Sequence, residues 1–337
     1  MIMQAAARSV VAREVLKDLQ PPDLRNLAQK REITTSFMAA AYVHRVRSRL
    51  AAVTRLSSAG QWTDADRMAV ENVHRLLVSH RLLQVDLRIC ATEPTWHLRL
   101  YVPLHHADLG FMASRAMLPA PPDWSARHRA DITAIVLPEW SDRCTLIDTD
   151  HATSYVLGSD YYGDIHNSSL RILAGLASRR RLLTLHAASA ELWVRSAKND
   201  VLNRCGLLII GTGGAGKTTL ATWDYAAGSA AGRKSPCQRF SVRQDDRVIL
   251  HPSGLVQGTE GQGLYVRTAG LNPHDRPGLW HAVNHEDAIL ENVWFNAAGA
   301  IDYSDNTLTP NGRAIAPLRQ IPGFDGQIDV PKCTHVF

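Results

Sequence analysis

A glycine-rich segment carries the residue types best suited to phosphate chemistry. From Gly211 to Thr218 the sequence fits the pattern G-x-x-x-x-G-K-[ST], and we call this segment the phosphate loop. Its glycines leave room for backbone N–H groups to converge on phosphate oxygens. In such a loop Lys217 reaches the β- and γ-phosphates and the Thr218 hydroxyl binds Mg²⁺. The predicted nucleotide-binding residues are Gly211, Thr212, Gly213, Gly214, Ala215, Gly216, Lys217, Thr218 and Thr219.

The phosphate loop needs a strand before it and a helix after it. The apolar run Leu207–Ile210 predicts a buried parallel strand that enters the loop. Residues Thr219 to Trp223 are able to continue as a helix, whose N-terminus adds partial positive charge near the phosphates. This context favours a nucleotide site over a glycine turn that matches the pattern by chance.

Two further positions supply candidate metal ligands. Asp245 and Asp246 precede the apolar stretch Val248–Leu250, and adjacent carboxylates near a strand can hold Mg²⁺ and orient a metal-bound oxygen. His186 ends a strand-like segment. Its residue type and position leave two interpretations open, a hydrogen-bonded structural histidine or a metal ligand.

The rest of the chain reads as an α/β protein in three parts. Residues 1–60 are predicted to be a helical segment, 61–180 an N-terminal α/β domain, and 181–337 the nucleotide-binding domain. Within the second part, a capped helix is predicted from Thr63 to about Leu77 and a leucine-rich helix after Gly163. Strands are predicted at 83–89, 98–102 and 131–137.

Composition excludes several classes of protein. The 337 residues are 45% hydrophobic and 20% charged, as in an ordinary globular protein. Lys and Arg outnumber Asp and Glu by 37 to 32 without a basic stripe, which favours a small anionic substrate over nucleic acid. Five scattered cysteines without C-x-x-C spacing argue against a disulfide framework or a cysteine zinc site. No apolar run matches a membrane span or a secretion signal, so we expect a cytoplasmic protein. The sequence contains no pattern that predicts the oligomeric state.

Several segments together resemble the ATP-dependent phosphoenolpyruvate carboxykinases, in the superfamily that also holds the HPr kinases. The similarity begins near Trp62 and is strongest towards the C-terminus. The matching segments are Trp96–Pro119, Leu157–Ile165, Leu185–Ala190, Gln244–Arg247, Thr259–Arg267, Ala288–Val293, Gly299–Asp305, Asn311–Arg313 and Ile321–Pro322. The last four keep the family's order and spacing, which HPr kinases lack. The resemblance implies a P-loop-containing carboxykinase-like fold that is truncated at its C-terminus.

The resemblance also implies roles for individual residues. Lys217 and Thr218 would bind phosphates and Mg²⁺, and Asp245 and Asp246 would be associated with metal. His186 would be a ligand of a second ion, Mn²⁺ in the family. The remaining implied roles concern charge and substrate: Arg267 and Arg313 lie beside the transferring phosphate, Tyr162, His166, Glu291 and Arg313 line the substrate pocket, and Asp245 accepts a hydroxyl proton by analogy with HPr kinases.

Three departures from the family argue against carboxykinase activity itself. His166-Asn167 replaces a pair of lysines, which removes two cations that stabilise an enolate. The segment that presents the oxaloacetate-binding arginine is absent, and Arg45–Arg49 is the nearby candidate. The sequence stops at Phe337, where the family continues into a region that contacts adenine.

We therefore expect an ATP- and metal-dependent kinase that phosphorylates a small anionic acceptor. Arg313 favours a carboxylate, phosphate or phosphonate on that acceptor, because its planar guanidinium suits such oxyanions. A role in secondary metabolism or antibiotic resistance fits this chemistry. The alternatives are a protein-serine kinase of the HPr kinase type, a true carboxykinase, and a non-catalytic nucleotide-binding regulator.

Overall fold

A computed structural model of the protein describes residues 9–127, 129–212, 215–222 and 237–337. Gly213, Gly214 and the predicted helical position Trp223 lie outside the described residues. The helices are α1 (Pro21–Ala28), α2 (Asp64–Leu77), α3 (Ala107–Ala116), α4 (Tyr162–Arg179), α5 (Lys217–Ala221) and α6 (Pro277–Val283). The strands are β1 (Glu14–Leu16), β2 (Ile33–Thr34), β3 (Ala40–Tyr42), β4 (Thr54–Leu56), β5 (Arg81–Ile89), β6 (Trp96–Pro103), β7 (Leu118–Pro119), β8 (Ile132–Leu137), β9 (Cys144–Asp148), β10 (Thr153–Leu157), β11 (Leu183–Arg195), β12 (Leu202–Ile210), β13 (Cys237–Gln244), β14 (Arg247–Leu250), β15 (Val256–Gly258), β16 (Gly263–Arg267), β17 (Ile289–Glu291), β18 (Arg313–Pro317) and β19 (His335–Val336).

The chain divides into two compact units. The first comprises Met1–Ile33, Tyr42–Ile89 and Trp96–Leu176, and the second comprises Thr34–Ala41, Cys90–Thr95 and Ala177–Phe337. The limits of the three predicted domains stay predictions. In the described part of residues 1–60, however, the helical prediction is wrong, because its longest helix is the eight-residue α1 and it also contains the short strands β1 to β4.

Tertiary pairing explains that correction. Alanine and leucine favour helix in isolation, but β1 pairs in parallel with β5 and β4 pairs in parallel with β9. Both short strands complete one mixed sheet of the first unit, in the order β1-β5-β6-β8-β10-β9-β4, with β7 on β5. Strand hydrogen bonds offered by a longer neighbour therefore override the local preference.

Helix α2 illustrates how the first unit builds its core. Thr63 accepts a hydrogen bond from the Asp66 backbone at 3.2 Å, while the Asp66 carboxylate accepts from the Thr63 backbone at 2.9 Å, so the predicted cap is a reciprocal capping box. One face of α2 packs on the sheet through residues that include Val70, Val73 and Leu77. Met68, which lies in the same helix, is exposed.

The second unit is organised around the long strand β11. It runs antiparallel to β12 on one side and to β13 and β14 on the other, and β15 and β19 extend the sheet. The prediction of a parallel strand at Leu207–Ile210 is thus wrong for its main partner, which is antiparallel; among the described residues only the short β19 pairs with β12 in parallel. An apolar run is typical of a parallel strand because both faces of such a strand are buried, but an antiparallel strand that is covered on both faces gives the same run.

The two faces of this sheet pack against different side chains of the second unit. Ala187 and Leu208 face a core with Val248, Val256 and Val330. Ala188 and Ile209 face the other side, where they pack against Ala221 and so fix α5 over the ends of β11 and β12. A second sheet of this unit has the order β16-β18-β17-β3-β2. Among the helices in the described residues, none has the length and apolarity that a membrane crossing requires.

Candidate nucleotide and substrate site

The phosphate loop connects the elements that the sequence predicted. Strand β12 ends at Ile210 and α5 begins at Lys217, with Thr218 and Thr219 following in its first turn. Gly216 adopts a φ of 87°, a left-handed conformation in which a side chain would be strained. A Cβ on Gly211 would lie 3.0 Å from the Cβ of Ala215, so this glycine permits the close approach of the two loop ends.

The Lys217 side chain reaches back to the start of the phosphate loop. Its side chain is buried, and Nζ donates a hydrogen bond to the backbone carbonyl of Thr212 at 2.9 Å. The aliphatic stem lies next to Gly211. The ammonium group is therefore positioned at the loop backbone, where the sequence predicts phosphate oxygens.

Thr218 and Asp245 meet at the end of the sheet. The Thr218 hydroxyl donates to Oδ2 of Asp245 at 2.5 Å. Oδ1 of Asp245 is buried and has no hydrogen-bond partner among the described residues. Burial raises the pKa of Asp245, and the neighbouring charge of Asp246 adds to this, although the hydrogen bond from Thr218 opposes it.

These groups fit a hard divalent cation. Mg²⁺ prefers oxygen ligands and commonly keeps one or two carboxylates with substrate phosphates. The buried oxygen of Asp245 lacks a proton donor in the described chain, and the hydroxyl beside it belongs to the residue predicted to bind Mg²⁺. Thr218 and Asp245 are accordingly the residues that would hold the cation of a bound nucleotide.

Asp246 and His186 form a neighbouring pair. Asp246 links β13 to β14 with a φ of 65°, and Arg247 N donates to Asp245 O at 2.9 Å, which makes a γ-turn. Non-glycine residues in this conformation are strained and concentrate at functional sites. Nε2 of His186 lies 3.1 Å from Oδ1 of Asp246, and both side chains are partly exposed. His186, the predicted ligand of a second ion, is thus adjacent to a carboxylate predicted to be associated with metal, and both side chains are accessible.

Sequence reasoning gave no role to the buried groups beside the carboxylate pair. Gln244 donates to Glu260 at 3.1 Å, and Glu260 accepts from the backbone N of Tyr265 at 3.2 Å. The Tyr265 hydroxyl in turn donates to Glu291, which is buried. This chain connects β13 to β16 and β17. Gln244 and Glu260 lie within matched family segments, which was the signal available for them.

Cross-strand register brings together three predicted residues, which we call the Arg–Arg–Glu row: Arg267, Arg313 and Glu291. Arg267 lies opposite Arg313 on β18, and Arg313 lies opposite Glu291 on β17. Residues directly opposite each other share one face of a sheet. Arg267 donates to the Pro310 carbonyl at 2.6 Å, and the Arg313 guanidinium lies 5.5 Å from the centre of the Tyr265 ring.

Tyr162 and His166 belong to the first unit. Both are buried in the first turns of α4, where their ring centres are 5.8 Å apart. Asn167, which replaces a family lysine, bonds to the Gly163 carbonyl at 2.8 Å and accepts from Arg49 at 3.0 Å. Its side chain therefore forms a hydrogen bond within α4 and helps to anchor the segment Arg45–Arg49.

Asp160 fixes the other end of that segment. Its carboxylate accepts from the backbone N of Arg45 at 3.0 Å and of Val46 at 2.9 Å. Burial acts to raise the pKa of Asp160, but these two bonds and nearby positive charge leave it below its ordinary value. The carboxylate consequently stays ionised and holds the turn.

Comparison with known proteins gives a consistent family. A family model described as phosphoenolpyruvate carboxykinase matches residues 63–336. The chain is 38% identical over 201 residues to phosphoenolpyruvate carboxykinase (ATP) from Aeropyrum pernix, covering 59% of this chain and 39% of that protein. It is 26% identical over 264 residues to the protein of the same description from Brevibacillus brevis, covering 75% and 45%.

A plant relative matches a shorter stretch. Phosphoenolpyruvate carboxykinase (ATP) 1 from Arabidopsis thaliana is 29% identical over 182 residues, or 54% of this chain and 23% of that protein. The chain thus spans less than half the length of these curated relatives.

Proposed function

The chain belongs to the phosphoenolpyruvate carboxykinase family, and we propose that it is an ATP- and divalent-metal-dependent kinase that transfers the γ-phosphate to a small anionic acceptor. Family membership confirms the resemblance found in the sequence, and the family is one of ATP-dependent phosphotransferases. Family membership does not identify the acceptor, because the chain departs from the family at positions where the acceptor would bind.

One observation carries the proposal. Lys217 is buried against the loop backbone, and the next residue, Thr218, bonds to Asp245, whose other oxygen is buried without a partner among the described residues. A buried carboxylate with a raised pKa costs stability. Such a group is retained where it has a ligand to bind or a proton to accept.

The chain's own residues supply positioning and charge. Lys217 donates to phosphate oxygens, and Arg267 and Arg313 add positive charge where negative charge accumulates on the transferring group. Asp245 is the candidate base for the proton of an acceptor hydroxyl; an acceptor that is already ionised needs no base. Thr218 and Asp245 would hold Mg²⁺, which would supply neutralisation of the phosphate charge.

The Arg–Arg–Glu row defines the acceptor class. Two guanidinium groups on one sheet face suit a carboxylate, phosphate or phosphonate. Glu291 is buried and accepts from Tyr265, so it stabilises the row rather than repelling the acceptor from an exposed position. A phosphonate or phosphate monoester of secondary metabolism or antibiotic resistance is one acceptor of this class.

The carboxykinase reaction is the second candidate, and the family itself favours it. Against it stand His166 and Asn167, which replace the paired lysines; Asn167 contributes an amide that is bonded to Gly163 and Arg49. An enolate would therefore lack two of the cations that stabilise it in the family.

The test is transfer from γ-labelled ATP in the presence of Mg²⁺ and Mn²⁺. The acceptor panel contains hydroxy acids, phosphonates, phosphate monoesters and a protein extract, and a parallel reaction contains oxaloacetate. We expect a labelled small anion that depends on Lys217. The matched control is Lys198→Ala, which removes an exposed lysine from a surface turn of the same unit.

Each of the other possible outcomes supports one of the alternative functions. Oxaloacetate-dependent ADP and CO₂ would establish the carboxykinase, and a labelled protein hydroxyl would establish a kinase of the HPr kinase type. ATP binding without labelled product from any pool would identify a non-catalytic regulator.

A further inference from the structure

The first unit contains a side-chain cluster that the proposed function does not use. His105, His106 and Glu139 place one ligand atom each within 4.8 Å of one another. The two histidines end the turn that precedes α3, and Glu139 follows β8. His105 bonds to Glu139 through Nε2, and Nε2 of His106 lies 3.4 Å from the same carboxylate oxygen.

We propose that His105, His106 and Glu139 bind a borderline divalent cation of the Zn²⁺ type, at a site separate from the nucleotide site. Two imidazoles and one carboxylate form a ligand set that Zn²⁺ accepts, with a fourth position left for water. Mg²⁺ and Ca²⁺ prefer oxygen ligands, so the imidazoles select against them. The scattered cysteines exclude a thiolate site but do not bear on this one.

The carboxylate is ready to act as a ligand. Both histidines direct Nε2 at the same carboxylate oxygen of Glu139. His105 and Glu139 are both well exposed, so a cation reaches them from solvent without opening the core.

Arg31 is the group that competes with the cation. Its Nη1 lies 2.5 Å from Nδ1 of His106. Because a guanidinium N–H only donates, Nδ1 accepts and the ring proton lies on Nε2, facing Glu139. Metal binding through Nε2 moves that proton to Nδ1, with no net proton released by His106, and Arg31 must give up its bond.

The structure provides a place for the displaced guanidinium. Arg31 already lies 3.5 Å from Asp108 and 3.4 Å from Asp160. Oδ1 of Asp108, the oxygen nearest Arg31, has no hydrogen-bond partner among the described residues, while its Oδ2 is bonded to His44. Rotation of Arg31 towards Asp108 would satisfy this buried oxygen and free Nδ1 of His106 to carry the ring proton when Nε2 binds the cation. Arg31 is thus a built-in competitor that sets the affinity.

The experiment is Zn²⁺ titration of the metal-free full chain against a chromophoric chelator. We expect His105→Ala and Glu139→Gln each to weaken one Zn²⁺ site by at least about tenfold. Two controls should leave that site unchanged: His151→Ala, which removes a histidine that pairs with only one carboxylate, Asp148, and His186→Ala, which removes the predicted ligand of the nucleotide site.

A second variant tests the competitor. Arg31→Gln should tighten the same site, because it removes both the bond to His106 and a positive charge beside the cation. Circular dichroism checks that each variant is folded. Because His105 is exposed, we expect His105→Ala to leave the fold unchanged. Identical titrations of the wild type and His105→Ala would overturn the proposal. So would the absence of Zn²⁺ binding, or loss of the site in His186→Ala instead.

Discussion

The phosphate loop with its carboxylates and the Arg–Arg–Glu row are both parts of the second unit, yet they hold their charges in different ways. At the loop, Lys217 bonds to a backbone carbonyl and Asp245 retains a buried oxygen without a partner in the described chain. In the row, Arg267 bonds to Pro310, Arg313 to Asn311 at 3.0 Å, and Glu291 to Tyr265.

This difference separates two tasks. A group left unsatisfied in a buried position is costly, and that cost is recovered when a ligand binds. The loop therefore has the character of a site completed by nucleotide and metal. Each side chain of the row already bonds to a neighbouring protein group, which is what a preformed surface for the proposed acceptor requires.

The largest effect should come from removing the loop's cation. Lys217→Met keeps the buried aliphatic stem and deletes the ammonium group. We expect kcat for ADP formation to fall on the order of a thousandfold, because no charge would remain between the phosphates at this position. Lys198→Ala is the control and should retain the wild-type rate. Equal rates in Lys217→Met and the wild type would remove the phosphate loop from the mechanism.

A smaller effect should follow from a change in the row. Arg313→Ala removes a charged donor, and hydrogen bonds to charged groups contribute about 1.5–3 kcal/mol. We expect kcat/KM for the acceptor to fall about tenfold to a hundredfold while the affinity for ATP is kept. Arg319, exposed just beyond β18, provides the control Arg319→Ala. A loss confined to ATP binding would assign Arg313 to the nucleotide and erase the contrast between the two regions.

His186 tests whether the loop region binds one cation or two. His186→Ala should raise the Mn²⁺ concentration for half-maximal activity by about tenfold, because an imidazole is a better ligand for Mn²⁺ than water in this setting. ATP affinity measured with Mg²⁺ should stay unchanged. The exposed His274 supplies the control His274→Ala. Superimposable Mn²⁺ curves for wild type and His186→Ala would show that this histidine is structural.

The same two regions show what the sequence can and cannot predict. The elements around the loop follow from a contiguous pattern, so the strand ending at Ile210 and the helix starting at Lys217 were predicted closely. The direction of that strand was not, because burial is encoded locally and pairing is not. The row depends on register between three strands. Only resemblance to a family assigned Arg267 and Arg313 to the transferring phosphate and Glu291 and Arg313 to the substrate pocket.

The helical prediction for residues 1–60 is wrong for a related reason. Its alanine and leucine content favours helix, but β1 and β4 are formed by pairing with strands far along the chain. The His105–His106–Glu139 cluster was missed as well, since no fixed spacing joins a histidine pair before α3 to an acid after β8. Long-range proximity is the common element in what sequence reasoning lacked.

The finest test uses stability in place of activity and compares Asp245 with Asp325, another aspartate of the second unit. Burial raises the pKa of Asp245. For Asp325 burial acts in the same direction, but bonds from Arg243 leave its pKa below the ordinary value. Asp325 also bonds to Arg239 at 2.7 Å. The two carboxylates should therefore contribute to the free energy of unfolding with opposite dependence on pH.

The signs follow from the direction of each shift. A raised pKa means that the contribution of Asp245 is fully present below the unfolded-state pKa, near the ordinary 3.8, and is lost as pH rises through the folded-state value. A lowered pKa means that the contribution of Asp325 is present above its unfolded-state pKa and is lost as pH falls through the folded-state value. Above its folded-state pKa the ionised Asp245 thus destabilises the metal-free fold, whereas the ionised Asp325 stabilises it.

Thermal unfolding in EDTA should separate them. At neutral pH we expect Asp245→Asn to raise Tm by a few degrees, because about 1 kcal/mol shifts Tm by roughly 2–4 °C in a domain of this size. Asp325→Asn should lower Tm by a similar amount, and both differences should shrink in acid. If Asp245→Asn instead lowers Tm at neutral pH, Asp245 belongs with the satisfied groups of the row. The loop would then lack the unsatisfied carboxylate that makes it a site completed by its ligand.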